Sequence, residues 1–171
     1  MKAIITIIGL PGSGKTTLGD MINERLKGAR INADVVRSSI SRDLKFSDDD
    51  RAIQAWRMGR LAAIALAVPA TVVCGSEAVW NLNKTVVVDF VNPTEHTRRT
   101  YEWAIQTELP FPVRKYTIWM DTITPEQSRY PDTAKLFEPP RKLDRHISGW
   151  QDPQGLNVIA DAVARDVSYS L

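Results

Sequence analysis

The chain has 171 residues, and its 22 lysines and arginines against 20 aspartates and glutamates give a formal net charge of +2. With 43% hydrophobic and 25% charged residues, its composition is that of an ordinary globular domain, which excludes a disordered or collagen-like chain. The single cysteine, Cys74, excludes an internal disulfide and fits a reducing cytoplasm. The longest apolar run, residues 61–74, is shorter than the ~20 residues that span a bilayer, so we expect no membrane contact.

The strongest motif lies near the start of the chain. Residues 3–8 (AIITII) are apolar and rich in β-branched side chains, which predicts a buried strand. Residues 9–16 (GLPGSGKT) follow at once and match the phosphate-loop pattern G-x-x-x-x-G-K-[ST] at every required position. Apolar residues at helical spacing from Leu18 to Leu26 predict a helix directly after it. Strand, loop and helix together predict a nucleoside-triphosphate site.

Each residue type in the loop has a physical role. The glycines permit close approach of the backbone, whose N–H groups then point at phosphate together with the start of the helix. We expect Lys15 to reach the β- and γ-phosphates and Thr16 to offer its hydroxyl to Mg²⁺. The predicted ATP-binding residues are Gly9, Pro11, Gly12, Ser13, Gly14, Lys15, Thr16 and Thr17.

The rest of the chain alternates strand and helix patterns, which predicts a mainly parallel sheet covered on both faces. We therefore expect one domain over residues 1–171 with a three-layer α/β P-loop NTPase fold. Residues 69–84 fit a strand, a helix extension or an inserted loop equally well. Further strands are predicted over residues 31–36, 85–91 and 116–120. Helices are predicted over residues 51–68 and around Leu156 to Val167, and another begins at an N-cap, Asn92, followed by Pro93 and Glu95.

The pattern favours a small-molecule kinase among proteins with phosphate loops. A GTPase needs an N-K-x-D signature, which residues 83–86 (NKTV) begin and do not complete, and large ATPase machines need a longer chain. Asp34, placed at the end of the second predicted strand, would then accept the proton of an attacking hydroxyl or organise Mg²⁺, with a helix cap as the alternative. Asp89, at the end of a buried strand, is a second candidate metal-organising carboxylate or a turn residue.

Residues 43–51 (DLKFSDDDR) resemble the adenylylsulfate kinase family, whose pattern reads D-G-D-x-x-R, D-L-G-F-S and D-R-x-x-N-x-R-R-x-G. The spacing from Asn32 through Gln54 to Gly59 matches that pattern without a gap. The resemblance is strong over residues 1–68 and weaker beyond them. It implies transfer of the γ-phosphoryl group of Mg-ATP to a hydroxyl of a nucleotide-type acceptor, below a mobile lid at about residues 127–153.

The resemblance also implies roles for individual residues. Arg37 and Arg51 would hold the anionic group of the acceptor, while Phe46 would stack on its base and the loop at Asn92 would close the same site. The alternatives are purely structural roles: an ion pair of either arginine with a neighbouring aspartate, and a core position for Phe46. At least one lid cation is expected to close on the transferred phosphate; the candidates are Arg129, Lys135 and Arg141.

Several positions depart from the family pattern. Asn32 stands where the pattern has its first aspartate, Gln54 where it has asparagine, and residues 91–94 (VNPT) where it has I-S-P-Y. We interpret these changes as lying on the acceptor side. The acceptor is therefore open between adenylylsulfate and a hydroxyl on nucleic acid, such as a 5′-hydroxyl end or the 5-hydroxymethyl pyrimidines that some bacteriophage kinases modify. A nucleotide-binding regulator without transfer is a third reading, against which Lys15, Thr16 and Asp34 argue together. The oligomeric state stays open, with a homodimer as one option.

Overall fold

The computed structural model describes residues 2–67, 69–74, 77–82 and 84–169. Strands and helices alternate along most of this length. The strands are β1 (Lys2–Gly9), β2 (Ala29–Asn32), β3 (Pro69–Cys74), β4 (Glu77–Leu82), β5 (Thr85–Asp89), β6 (Val113–Asp121) and β7 (Arg145–Ser148). The helices are α1 (Lys15–Leu26), α2 (Ala33–Ser39), α3 (Asp48–Ala67), α4 (Glu95–Glu108), α5 (Pro131–Lys135) and α6 (Pro153–Ser168), with a 3₁₀ helix at Pro125–Gln127.

Five strands form the main sheet in the order β2-β5-β1-β6-β7, and every pairing in it is parallel. β1 lies at its centre, which explains why its side chains are apolar on both faces. Ile5 and Ile7 pack on the face covered by α1 and α6, and Ile4 packs on the face covered by α3 and α4. The three-layer α/β fold is confirmed. Parallel strands also bring the carboxyl ends of β2, β5 and β1 to one edge, where ligands bind in such sheets.

The second predicted strand was wrong in its bounds. β2 ends at Asn32, and residues 33–39 form α2. The reason is a helix cap, because the Asn32 side-chain oxygen accepts hydrogen bonds from the N–H groups of Asp34 (3.0 Å) and Val35 (3.1 Å). Asp34 therefore lies in the first turn of a helix and not at the end of a strand.

The predicted start of α4 was wrong by two residues. The N-cap is Thr94, whose hydroxyl accepts a hydrogen bond from the Thr97 N–H, while the Thr97 hydroxyl accepts one from the Thr94 N–H, both at 3.2 Å. This reciprocal pair satisfies the first turn without Asn92 or Glu95. Asn92 lies before the helix with φ of +46°, a left-handed conformation that asparagine tolerates better than most residues.

Two segments were left open by the sequence, and the structure describes both except residues 75, 76 and 83, which lie outside the described residues. β3 and β4 pair antiparallel as a separate two-stranded sheet, with Pro69 opposite Leu82 and Cys74 opposite Glu77. The part of the 127–153 segment that forms β7 is an edge strand of the main sheet, with Met120 opposite Ile147. Residues 145–148 of the predicted lid segment therefore belong to the sheet, and a mobile lid in the rest of it stays a prediction.

The closest approach of α3 and α4 depends on Gly59. A Cβ at this position would lie 2.5 Å from the Tyr101 carbonyl oxygen and 2.8 Å from the Ala104 Cβ. We predict that Gly59→Ala lowers the free energy of unfolding by about 1–3 kcal/mol, because the two helices must separate. The predicted loss is a net one: separating the helices costs more than the gain of about 1 kcal/mol that alanine brings to a helix interior.

Urea unfolding of the two proteins measures this difference. Gly155→Ala in α6 is the matched control, since the nearest atom to its Cβ is the tip of the flexible Gln151 side chain. An unchanged or more stable Gly59→Ala protein would contradict the packing described here.

Candidate active site

The phosphate loop connects β1 to α1 in the conformation that its sequence predicts. Gly12 and Gly14 have φ of +96° and +89°, and Gly14 is the N-cap of α1. The Thr122 hydroxyl at the end of β6 donates a hydrogen bond of 2.7 Å to the Ser13 carbonyl, which fixes the loop to the sheet. The loop is therefore held in place by the strand on the far side of β1.

Lys15 lies folded over this loop. Its ammonium donates a hydrogen bond of 2.7 Å to the Leu10 carbonyl, and Ser13 Oγ lies 3.5 Å away. The residue is 8% exposed, and burial lowers the pKa of its ammonium to about 8 from 10.5. The negative charges of Asp89 and Asp34 oppose this shift, so both carboxylates act on the same cation. Because burial has removed water from the Lys15 ammonium, a bound phosphate would stabilise its positive charge strongly.

A polar network joins the ends of three neighbouring strands. Asp89, 2% exposed at the end of β5, accepts a hydrogen bond of 3.0 Å from the Thr16 hydroxyl. Asn32 at the end of β2 donates its amide hydrogens to Asp89 (3.1 and 3.2 Å) and to Thr16 Oγ1 (3.2 Å). The Arg30 guanidinium pairs with Asp89 at 2.5 Å. Our interpretation that the change at Asn32 lies on the acceptor side was wrong, because its amide contacts the donor side.

One cavity of about 740 Å³ connects the phosphate loop to the residues expected at the acceptor. Gly9 and Ser13 are both buried and do not line it. Among the predicted residues it is lined by Pro11, Gly12, Gly14, Lys15, Thr16, Thr17, Asp34, Arg37, Phe46, Arg51, Asp89, Asn92 and Arg129.

Another part of the cavity wall presents an aromatic ring close to two cations. Phe46 is 66% exposed, so it is not a core residue, and the Arg37 and Arg51 guanidinium carbons lie 4.7 Å and 5.8 Å from its ring centre. Arg51 also donates to the Phe46 carbonyl (3.1 Å) and to Thr133 Oγ1 (3.1 Å), and Arg37 donates to the Lys45 carbonyl (2.7 Å). Burial and the positive charge of Arg51 lower the pKa of Arg37. Two cations held this close attract an anion.

Two buried amides in the same cavity have unused hydrogen-bonding capacity. Gln54 is 4% exposed, and neither its amide nitrogen nor its oxygen has a partner in the described part of the chain. Asn92 is 3% exposed, and its side-chain oxygen also lacks a described partner. A buried amide without partners costs free energy that a ligand can recover. Sequence reasoning noted Gln54 only as a departure from a pattern and gave it no role.

Of the three lid candidates, one lines the cavity and two do not. Arg129 lines the cavity. Lys135 is exposed and lies 3.8 Å from Asp132, and Arg141 is exposed as well; neither lines the cavity. The segment itself is fastened to the start of α4, because Glu138 donates its N–H to the Pro93 carbonyl (2.8 Å) and accepts a hydrogen bond from the Glu95 N–H (2.6 Å).

The donor side suits Mg²⁺ that arrives with a nucleotide. In residues 2–67, 69–74, 77–82 and 84–169 no cluster of three or more histidine, cysteine, aspartate or glutamate side chains is placed to hold a metal by itself. Mg²⁺ is usually held by one or two carboxylates together with substrate phosphates. The hydroxyl of Thr16 beside the Asp89 carboxylate fits that donor set.

Comparison with known proteins identifies the family. A family model described as adenylylsulphate kinase matches residues 1–153. The chain belongs to this family. An adenylyl-sulfate kinase of Paraburkholderia xenovorans is 36% identical over 67 residues, which cover 36% of this chain and 37% of that enzyme. The adenylyl-sulfate kinase of Bacillus pumilus is 28% identical over 103 residues, 57% of this chain and 45% of that enzyme. The chain thus spans less than half the length of these curated relatives.

Solved structures agree on the fold. The Mycobacterium tuberculosis APS kinase CysC, in complex with AMPPNP and APS, superimposes with a TM-score of 0.73 at 16% identity and covers 98% of both chains. A shikimate kinase from Acinetobacter baumannii, covering 99% of this chain and 95% of its own, gives a TM-score of 0.57 at 10% identity. These matches give no support to the nucleic-acid acceptor. Among the described helices, none is long and apolar enough to cross a membrane.

The lowered pKa of Lys15 makes a testable contribution to stability. Between pH 8 and pH 10.5 the unfolded chain holds a proton on Lys15 that the folded protein has released, so the free energy of unfolding rises with pH. We predict that Lys15→Met raises stability at pH 7 by up to about 3 kcal/mol and removes this part of the pH dependence.

The measurement is urea unfolding at pH 7 and pH 10, without nucleotide. Lys142→Met, which removes an exposed lysine, is the control and should behave as wild type. Equal pH dependence in wild type and Lys15→Met would show that Lys15 is solvated in the free protein.

Proposed function

We propose that this protein is an ATP-dependent kinase that phosphorylates a hydroxyl of adenylylsulfate. The observation that carries the proposal is the single cavity that joins Lys15, Thr16 and Asp89 at one end to Phe46 and its two arginines at the other. Membership of the adenylylsulphate kinase family supports it. ATP at the phosphate loop and an acceptor at Phe46 would meet within this one space.

The chemistry is in-line transfer of a phosphoryl group. The acceptor hydroxyl oxygen forms a bond to the γ-phosphorus while the bond from that phosphorus to the bridging oxygen of ADP breaks. The hydroxyl proton passes to Asp34, which lines the cavity, or to solvent. Lys15 stabilises charge on the transferred group, and Arg129, the lid candidate that lines the cavity, would do the same. Mg²⁺, held with the nucleotide by Thr16 and Asp89, would neutralise the phosphate charge.

The acceptor half suits an aromatic base carrying an anionic group. The exposed ring of Phe46 offers a face for stacking, and Arg37 and Arg51 flank it with positive charge. The unpartnered amides of Gln54 and Asn92 offer hydrogen bonds to a polar group of the acceptor. Adenylylsulfate provides an adenine, hydroxyls and a phosphosulfate, which match these three features.

The test is transfer of the γ-phosphate of labelled ATP to three acceptors in parallel: adenylylsulfate, a 5′-hydroxyl oligonucleotide, and DNA containing 5-hydroxymethyl pyrimidines. We expect label on adenylylsulfate alone. Label on either nucleic acid with none on adenylylsulfate would overturn the acceptor assignment and leave the kinase assignment standing. ATP binding without transfer to any of the three would favour a nucleotide-binding regulator.

Two substitutions separate chemistry from binding. Lys15→Met should lose nearly all turnover while the protein stays folded, and Asp34→Asn should reduce turnover far more than it weakens ATP binding. The measurements are label transfer and the affinity for ATP. Near-wild-type transfer by Lys15→Met would refute the site, and an equal loss of turnover and ATP affinity in Asp34→Asn would make Asp34 a binding residue.

The acceptor site has its own test in Phe46→Ala. We predict that the KM for the acceptor rises by about tenfold or more while the KM for ATP changes little, because stacking on an aromatic side chain contributes about 1–3 kcal/mol per base. Steady-state kinetics with each substrate varied gives both constants. Trp150→Ala removes another exposed aromatic ring, one that does not line the cavity, and should leave both constants unchanged. Equal changes in both proteins would argue against stacking on Phe46.

A further inference from the structure

Arg30 occupies a position that no motif assigns. It lies on β2, and its side chain, 17% exposed, reaches the first two turns of α1 with its guanidinium. Nη1 lies 2.5 Å from Asp89 Oδ1, Nη2 lies 3.3 Å from the Thr16 carbonyl, and Nε donates to Asp20 at 3.0 Å. The guanidinium therefore contacts both the buried carboxylate and the backbone of the residue beside it.

Space for this guanidinium comes from α1. A Cβ on Gly19 would lie 2.5 Å from Arg30 Nη2 and 2.7 Å from its Cζ. Glycine usually weakens a helix interior, yet here any larger residue would displace the Arg30 side chain. The absence of a side chain at Gly19 therefore leaves the space in which the Arg30 guanidinium pairs with Asp89.

Asn32 holds the other side of the same carboxylate, and its orientation is fixed. Its side-chain oxygen accepts the two N–H groups that cap α2, so its amide nitrogen must face Asp89 and Thr16. An aspartate in place of Asn32 would have no hydrogen to donate. It would also place a second carboxylate about 3 Å from Asp89, where two negative charges cannot both be held without cost.

We propose that Arg30 and Asn32 are positioning residues that fix the Asp89 carboxylate beside Thr16, so that Asp89 supplies the negative charge that the family pattern carries at position 32. The inference rests on the proposed function in that the carboxylate is fixed for Mg²⁺ bound with ATP. Arg30 pairs with Asp89 before the nucleotide arrives, so the almost wholly buried carboxylate has a cationic partner. Asn32 and Thr16 then orient its second oxygen toward the phosphate loop.

The test measures how much Mg²⁺ tightens ATP binding, as the ratio of Kd in EDTA to Kd in saturating MgCl₂, without any acceptor. Arg30→Met removes the cation, and Gly19→Ala displaces it while keeping its charge. We expect each to lower this ratio roughly tenfold to a hundredfold, as is usual when a residue that orients a metal ligand is lost. Arg25→Met is the control, because Arg25 makes a similar 2.5 Å pair with Asp161 on the surface of α1 and should leave the ratio unchanged.

A charge exchange tests the second half of the proposal. Asn32→Asp and Asp89→Asn should each lower the ratio, and the double variant Asn32→Asp/Asp89→Asn should recover much of it, because one carboxylate then again faces Thr16. The proposal fails if Arg30→Met and Gly19→Ala both keep the wild-type ratio, or if the double variant loses as much as its two single changes combined. If wild-type protein binds no ATP under either condition, the proposed function itself fails.

Discussion

Parallel pairing of β1 with β5, and of β5 with β2, is the constraint on which the site depends. In this arrangement the three strands end at one edge, so the phosphate loop, Asp89 and Asn32 meet there although they lie far apart in the chain. The apolar side chains of β1 face the two sides of the sheet in turn and pack against both layers of helices, which stabilises this pairing. Without that burial, a charged group such as Asp89 could not be held beneath the surface against Thr16 and Arg30.

The two ends of the cavity use different physical means. The donor end centres on the buried Asp89 carboxylate, in which one oxygen pairs with Arg30 and the other accepts hydrogen bonds from Thr16 and Asn32. The acceptor end has groups that are free to bind a ligand: the exposed ring of Phe46, the two cations near it, and the amides of Gln54 and Asn92, which have atoms without a described partner. A paired network positions phosphate reproducibly, whereas unpaired groups gain free energy only when a complementary molecule enters.

The sequence predicted much of this and missed specific parts. The phosphate loop and the parallel α/β fold follow from local patterns and spacing, and the structure agrees. The gathering of Arg37, Phe46 and Arg51 was expected from the resemblance to the adenylylsulfate kinase family, and all three line one cavity. The bounds of β2 and α4 were missed because Asn32 and Thr94 decide them through caps, which propensity does not reveal. Arg30 and Gly19 were missed for a different reason: neither belongs to a motif, and their meaning appears only when β2 is packed against α1. The change to asparagine at position 32 was visible, but its partner, Asp89, lies on another strand.

We propose that one cavity holds the phosphoryl donor and a nucleotide-type acceptor together. A crystal structure with a non-hydrolysable ATP analogue, Mg²⁺ and adenylylsulfate tests it most directly. We expect the terminal phosphate of the analogue at Lys15 and Thr16 and a ribose hydroxyl of adenylylsulfate facing it. We expect the adenine of adenylylsulfate against Phe46 and its anionic group at Arg37 and Arg51. Adenylylsulfate bound outside this cavity, or absent while the ATP analogue is bound, would contradict it.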